Sequence, residues 1–372
     1  MNQLIIPTKI YSGTDSLSVL ETIQNARVLM VCDSFLPGSE SLRHIQQYVS
    51  ATNSVTLFSD VKPDPPLENI MAGVSVFESA KPTVMIAIGG GSAIDTAKAI
   101  RFFGEKMGYS LVENFIAIPT TSGTGSEVTN TAVVSDTKNG VKFPIINNHL
   151  IPDVALLEPT LVMSAPKSVT AFSGLDVLTH ALESLVAKDA DLFTDALAEK
   201  SIDTISNQLV SAYQEGENVE VRQRIHEASC AAGLAFNSAG LGICHSLAHQ
   251  LGAKFHVPHG LANAMLLPYV VAFNAQDAAV AKKYARAITK AHIGTPTLSD
   301  NLLIKRLQKH IFGMMREMNC PKNLKEFGIS EKDVLENMDW LVQHAKEDGT
   351  FPGNPIVPTD DELKSIIEKI IK

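Results

Sequence analysis

Every convincing strand-forming run in this chain lies before Pro166. Val28–Val31, Val55–Phe58, Val84–Ile88, Phe115–Ile118, Ala132–Val134 and Val154–Leu157 alternate with turn residues and helix-forming stretches. That order is the pattern of a parallel α/β domain, because parallel strands need crossover connections. Between the last two runs, Asn139-Gly140 reads as a hairpin turn. Beyond Pro166 the chain is rich in Ala, Leu, Glu and Lys at three-and-four spacing, the signature of amphipathic helices. At 372 residues it exceeds what one ordinary core serves. The expectation is a mostly parallel, Rossmann-like α/β domain over residues 1–162 and an all-α domain over residues 163–372.

Charge and cysteine usage narrow the function classes. A net charge of −9, with no Lys/Arg cluster, argues against a surface built to neutralise phosphates, so nucleic acid is not an expected partner. The apolar stretch from Ala264 to Phe273 is broken by Pro268 and falls well short of the ~20 residues a membrane span requires, so no membrane partner is expected either. Cys32, Cys230, Cys244 and Cys320 form no C-x-x-C pair and read as reduced, buried thiols. The N-terminal stretch lacks the pattern of a secretory signal, and a cytoplasmic location is expected.

Two loops in the first half are suited to a ligand. Val84–Ile88 runs into Gly89-Gly90-Gly91-Ser92 and then a helix start. It matches neither G-x-G-x-x-G nor a P-loop, since Ile94 stands where a third glycine would be. The glycines nevertheless let a backbone approach a ligand closely. Ser92 as N-cap, with Asp95 three residues on, would start a helix whose free N–H groups attract a pyrophosphate. A bare strand-to-helix turn is the equal alternative. The second loop, Pro119-Thr120-Thr121-Ser-Gly-Thr-Gly-Ser-Glu127, follows the strand Phe115–Ile118 and offers hydroxyls where open α/β sheets bind ligands. Asp33 ends another strand run; a carboxylate there can accept from an adenosine ribose and repel a 2′-phosphate, favouring NAD over NADP, while a surface or capping aspartate is the ordinary reading of that residue alone.

The second half concentrates metal-binding side chains. Asp176 and His180 are four apart, as are His245 and His249, so each pair shares a helix face; His256 and His259 follow closely. Metal sites are built this way from facing helices. The absence of a glutamate after His245 separates the motif from H-E-x-x-H peptidases. One carboxylate with imidazoles suits Fe(II), Zn(II), Mn(II) or Co(II), and spacing alone does not select the ligands or the ion.

Together, Gly89–Asp95, Pro119–Glu127, Gly174-Leu-Asp-Val-Leu-Thr-His-Ala-Leu-Glu183 and His245–Ala253 through Pro258-His-Gly260 resemble the iron-containing alcohol dehydrogenases over nearly the whole chain. The resemblance implies a dinucleotide-binding first domain and a metal-binding second one. It implies one cation, Fe(II), on Asp176, His180, His245 and His259, with His249 beside the nicotinamide as the catalytic proton relay. It places NAD on Asp33, Gly90, Gly91, Ser92, Asp95, Thr120, Thr121, Thr129 and Lys142, and leaves His256 without a role. Phe236 is a candidate for the substrate entrance. Ile10-Tyr-Ser-Gly13 and Phe193–Lys200 are similar to the propanediol-utilisation branch, which implies reduction of a short aldehyde such as propanal, and contact with a microcompartment shell. A homo-oligomer, dimer or larger, is expected. Two rival readings are a metal- and NAD-dependent lyase of the dehydroquinate synthase type and a non-enzymatic metal-binding scaffold.

Overall fold

The computed structural model describes residues 4–137 and 141–372, without the side chains of residues 141 and 142. Its contacts divide it into two compact units, Ile6–Ala165 and Pro166–Lys372.

All six strand runs become strands of the first unit, and two strands that carried no such run join them. In chain order these are β1 (Lys9–Ser12), β2 (Arg27–Asp33), β3 (Ser54–Val61), β4 (Val84–Gly89), β5 (Asn114–Pro119), β6 (Thr131–Asp136), β7 (Val141–Ile146) and β8 (Val154–Leu157). Six form a parallel sheet in the order β1-β8-β5-β4-β2-β3. β6 and β7 pair antiparallel as a separate ribbon. The Asn139-Gly140 turn lies outside the described residues. β1 escaped the sequence reading because it is a short edge strand whose four residues are all exposed.

The strands β2, β4, β5 and β8 are buried on both faces, which explains their continuous apolar runs, whereas the edge strand β3 exposes Val55 and Leu57. Met30, Cys32, Ile86, Ile88 and Ile116 point to one side, where Leu42 and Ile45 of α1 (Glu40–Gln47) cover them. Leu29, Val31, Met85, Ala87 and Phe115 point to the other, beneath α2 (Leu67–Ala80) and α3 (Gly91–Lys106). From β2 the chain steps outward to β3, then crosses back to β4 on the opposite side of β2. This reversal is a topological switch point, and a crevice opens there at the carboxyl ends of the strands.

The second unit is helical. After the short α4 (Pro159–Met163), which closes the first unit, come α5 (Lys167–Val186), α6 (Leu192–Gln214), α7 (Val219–Ala239), α8 (Ile243–Phe255) and α9 (His259–Asn274). They are followed by α10 (Ala278–Lys290), α11 (Asp300–Glu317), α12 (Leu324–Phe327), α13 (Glu331–Glu336), α14 (Met338–Glu347) and α15 (Asp360–Lys369). α5 is buried from Gly174 to Val186 without a break, as a helix at the centre of a bundle must be. The Phe193–Lys200 stretch serves the packing of this unit, because Asp191 caps α6 while Asp195 and Glu199 pair with Lys283, Arg286 and Lys290 of α10. Among the described residues, no helix is long and apolar enough to cross a membrane. All four cysteines are buried free thiols.

Gly89 shows how tightly the switch point is built. Its φ is +146°, and a Cβ there would lie 2.3 Å from Oδ2 of Asp33 and 2.6 Å from Cβ of Ala93. Gly89→Ala is therefore expected to destabilise the chain by about 1–3 kcal/mol through backbone strain, before any contribution from the displaced Asp33. A urea midpoint equal to that of the parent chain would contradict this.

Candidate metal centre and dinucleotide loops

α5 carries Asp176 and His180 on one face, α8 carries His245, and α9 opens with His259 as its first residue. One ligand atom from each of the four lies within 4.8 Å of every other. His259 Nε2 is 3.5 Å and His245 Nε2 3.7 Å from Asp176 Oδ1, while His180 Nε2 is 3.9 Å from Oδ2. The His180 and His245 rings stack with centroids 4.7 Å apart. Close helix packing makes this possible: a Cβ on Gly260 would lie 2.1 Å from the Phe172 carbonyl oxygen of α5.

The donor set suits a divalent cation. Asp176 is buried, and burial alone would raise its carboxyl pKa; the imidazoles of His259, His180 and His245 and the Asn263 amide outweigh that and hold it below the ordinary value. His245 Nε2 is buried without a hydrogen-bond partner among the described residues, although a buried nitrogen rarely stays so. The cluster is not sealed, since the His259 side chain is 43% exposed. An open side is what a catalytic, as distinct from a structural, metal site requires.

Sequence reasoning assigned no role to two residues that orient these donors. Glu183 is buried on α5; its Oε2 lies 2.5 Å from His245 Nδ1, and its Oε1 accepts from the Cys244 N–H at 2.7 Å. Burial would lower the His245 pKa, but the hydrogen bond and charge of Glu183 reverse this and raise it. An ionised carboxylate only accepts, so Nδ1 carries a proton, and in the neutral ring that a cation requires Nε2 presents its lone pair to the cluster. The signal was available: positions 176, 180 and 183 follow helical four-and-three spacing. Asn263, four residues after His259, donates to Asp176 Oδ1 at 2.7 Å.

The remaining candidates of this unit separate clearly. His249 stacks on His259 with centroids 5.3 Å apart, and its Nδ1 meets Asp348 Oδ2 at 2.8 Å. Burial would raise the Asp348 pKa, yet bonding to His249 and Thr350 lowers it. Phe236 packs on His180 at 4.5 Å between centroids. His256 takes no part in the cluster: it closes α8 in the left-handed conformation, φ +56°.

In the first unit, the glycine turn and Asp33 come together at the switch point. Asp33 Oδ2 accepts from the Gly90 N–H at 3.0 Å across the β2/β4 crevice, and burial raises its carboxyl pKa, partly offset by that bond. The two loops also meet, as a Cβ on Gly90 would lie 3.5 Å from Thr121 Oγ1 and one on Gly91 2.8 Å from Thr124 Cγ2. The Thr120 N–H donates to the Gly89 carbonyl at 3.0 Å.

One expectation needs correction here. The N-cap of α3 is Gly90, not Ser92, because the helix begins at Gly91; Ser92 lies within its first turn. The oxygens of Asp95 accept from Ser126 Oγ at 2.6 Å and the Val133 N–H at 3.0 Å, fastening the second loop and β6 to α3. Thr129 is buried and accepts from the buried Lys98 Nζ at 3.0 Å. The Lys142 side chain lies outside the described residues.

Comparison with known proteins then decides the kinship. The sequence profile of the iron-containing alcohol dehydrogenases matches residues 7–159, and that of the family's C-terminal region matches residues 170–371. The chain belongs to the iron-containing alcohol dehydrogenases. It is an oxidoreductase of that family, whose chemistry uses a dinucleotide and a metal. It is 41% identical over 371 residues to a 1-propanol dehydrogenase of Citrobacter freundii, covering 100% of both chains. It is 37% identical over 391 residues to an NADPH-dependent butanol dehydrogenase of Clostridium saccharobutylicum, covering 99% of this chain and 97% of that one. Among solved structures, a 1,3-propanediol oxidoreductase superposes with a TM-score of 0.93 at 30% identity, covering 100% of both chains.

The Glu183 contact yields a direct test. Glu183→Gln keeps an acceptor for the Cys244 N–H but turns an amide donor toward His245 Nδ1, moving the ring proton to Nε2. Divalent-cation affinity, read by equilibrium dialysis with Zn(II), is expected to fall about 10–100-fold. Parental affinity would contradict the orienting role.

Proposed function

We propose that this chain interconverts a small primary alcohol and its aldehyde with NAD(H), using one divalent cation on Asp176, His180, His245 and His259. The observation that carries the reading is the four-donor cluster around the buried Asp176 carboxylate, with a lone pair of His245 left for an ion. The nitrogen and oxygen donors accept Fe(II), Zn(II), Mn(II) or Co(II); membership in the iron-containing family favours Fe(II).

Bound there, the cation supplies Lewis-acid stabilisation of a developing alkoxide, and the dinucleotide supplies the hydride acceptor. The protein's own groups do the rest. Glu183 and Asn263 hold the donors in place, so little reorganisation is needed when the cation arrives. His249, 40% exposed and stacked on His259, carries the alcohol proton toward solvent. Gly90, Gly91 and Ser92 receive the pyrophosphate at the N-terminus of α3, with Thr120 and Thr121 flanking it. Asp33 takes the adenosine ribose and disfavours a 2′-phosphate, which supports NAD over NADP for this chain. The names of relatives, 1-propanol and butanol dehydrogenases, support a short primary alcohol as substrate.

Chelated protein assayed anaerobically with NADH and C2 to C4 aldehydes is expected to be inactive, with activity restored by adding back one divalent cation per chain. His259→Ala is expected to lose both the bound cation and turnover. A His259→Ala protein that kept both, or a chelated protein of full activity, would overturn the reading.

A further inference from the structure

Three side chains from one short segment reach across to α8, and no sequence motif announces them. After α14 the chain runs from Asp348 to Asn354 alongside the helix that carries His245 and His249. Asp348 Oδ2 meets His249 Nδ1 at 2.8 Å. Thr350 Oγ1 lies 2.9 Å from Ser246 Oγ, one turn earlier. Asn354 Oδ1 accepts from the Ile243 N–H at 3.3 Å, at the first residue of α8. The segment itself is pinned, since Asp348 Oδ1 accepts from the Thr350 N–H at 2.9 Å and its hydroxyl at 2.8 Å, and Asn354 exchanges amide bonds with Asn274 of α9. It fits closely as well: a Cβ on Gly353 would lie 2.2 Å from the Leu241 carbonyl oxygen.

We propose that Asp348 is a positioning residue for His249, fixing the tautomer with the proton on Nδ1 and so leaving Nε2 as the base that takes the alcohol proton. The proposal rests on the reading of His249 as the relay. The two Asp348 oxygens have separate roles, with Oδ1 capping the strap through Thr350 and Oδ2 facing the imidazole. A carboxylate offers no hydrogen to Nδ1, so the ring must donate there, and in the neutral ring the second nitrogen is the acceptor. Stacking on His259 does not decide which nitrogen of this 40% exposed imidazole carries the proton; the 15% exposed Asp348 carboxylate does. No step gains or loses an electron: the O–H proton of the alcohol passes to Nε2, and the imidazolium returns a proton to solvent.

Asp348→Asn separates the two roles. Its Oδ1 can still receive both Thr350 bonds, while its amide donates to His249 Nδ1 and moves the ring proton to Nε2. The test uses the full chain loaded with Zn(II) and labelled with 15N-histidine, so the ring nitrogens of His249 can be read directly by NMR, alongside bound zinc, KM and kcat. Asp348→Asn is expected to switch His249 to the Nε2–H tautomer and lower kcat about tenfold or more, with zinc content and KM for the alcohol near parental. Asp348→Glu, which returns a carboxylate, should restore the Nδ1–H tautomer and part of kcat. An unchanged tautomer in Asp348→Asn, failure of Asp348→Glu to restore it, or loss of bound zinc together with turnover would overturn the proposal. His249→Ala distinguishes failure of the underlying reading: parental kcat in that variant removes the relay, whatever the tautomer measurement shows.

Discussion

One buried carboxylate sets the terms for the helical unit. Asp176 sits inside α5, and a lone charge there would be strongly unfavourable. Three imidazoles, drawn from α5, α8 and α9, surround it, and an amide on α9 takes one of its oxygens. The packing follows from bringing those helices together: Gly260 lets α9 touch the α5 backbone, and Gly242 lets the start of α8 approach Glu183 and Asn354. Such an arrangement of one carboxylate among three imidazoles is poorly explained as a stabilising device, since well-packed apolar residues would serve as well. It is well explained as a place for a cation.

Orientation is imposed a layer further out. Two histidines of α8, four residues apart, each direct Nδ1 at a carboxylate: Glu183 for His245, Asp348 for His249. The first carboxylate is buried and comes from the helix that supplies Asp176; the second lies nearer the surface and comes from a distant segment. The same local chemistry thus fixes the ring of a buried histidine and that of a more exposed one. In the other unit, a third carboxylate, Asp33, holds the glycine turn at the switch point of the sheet.

Much of this was legible in the sequence because it is local or periodic. The runs of strands buried on both faces are continuous and apolar, so β2, β4, β5 and β8 were readable, as was the β-branched edge strand β3, whereas the short, exposed edge strand β1 was not. Helical spacing placed Asp176 with His180 and His245 with His249, but it could not tell which histidines converge, because His259 arrives from another helix. Family resemblance named the set of four. Glu183 and Asn263 kept the same periodicity and could have been found. Asp348 could not, since 99 residues separate it from His249 and only the fold brings them together. Asp95 carries a second role that spacing did not show: tertiary bonds from Ser126 and Val133 reach its oxygens.

That the cluster around Asp176 holds the cation is tested most directly by anomalous diffraction from crystals of the Co(II)- or Zn(II)-loaded chain, collected at the metal edge. A single peak is expected, bonded at about 2.0–2.2 Å to an Asp176 oxygen and to imidazole nitrogens of His180, His245 and His259. A stoichiometric ion bound elsewhere, or no peak at these residues, would contradict it.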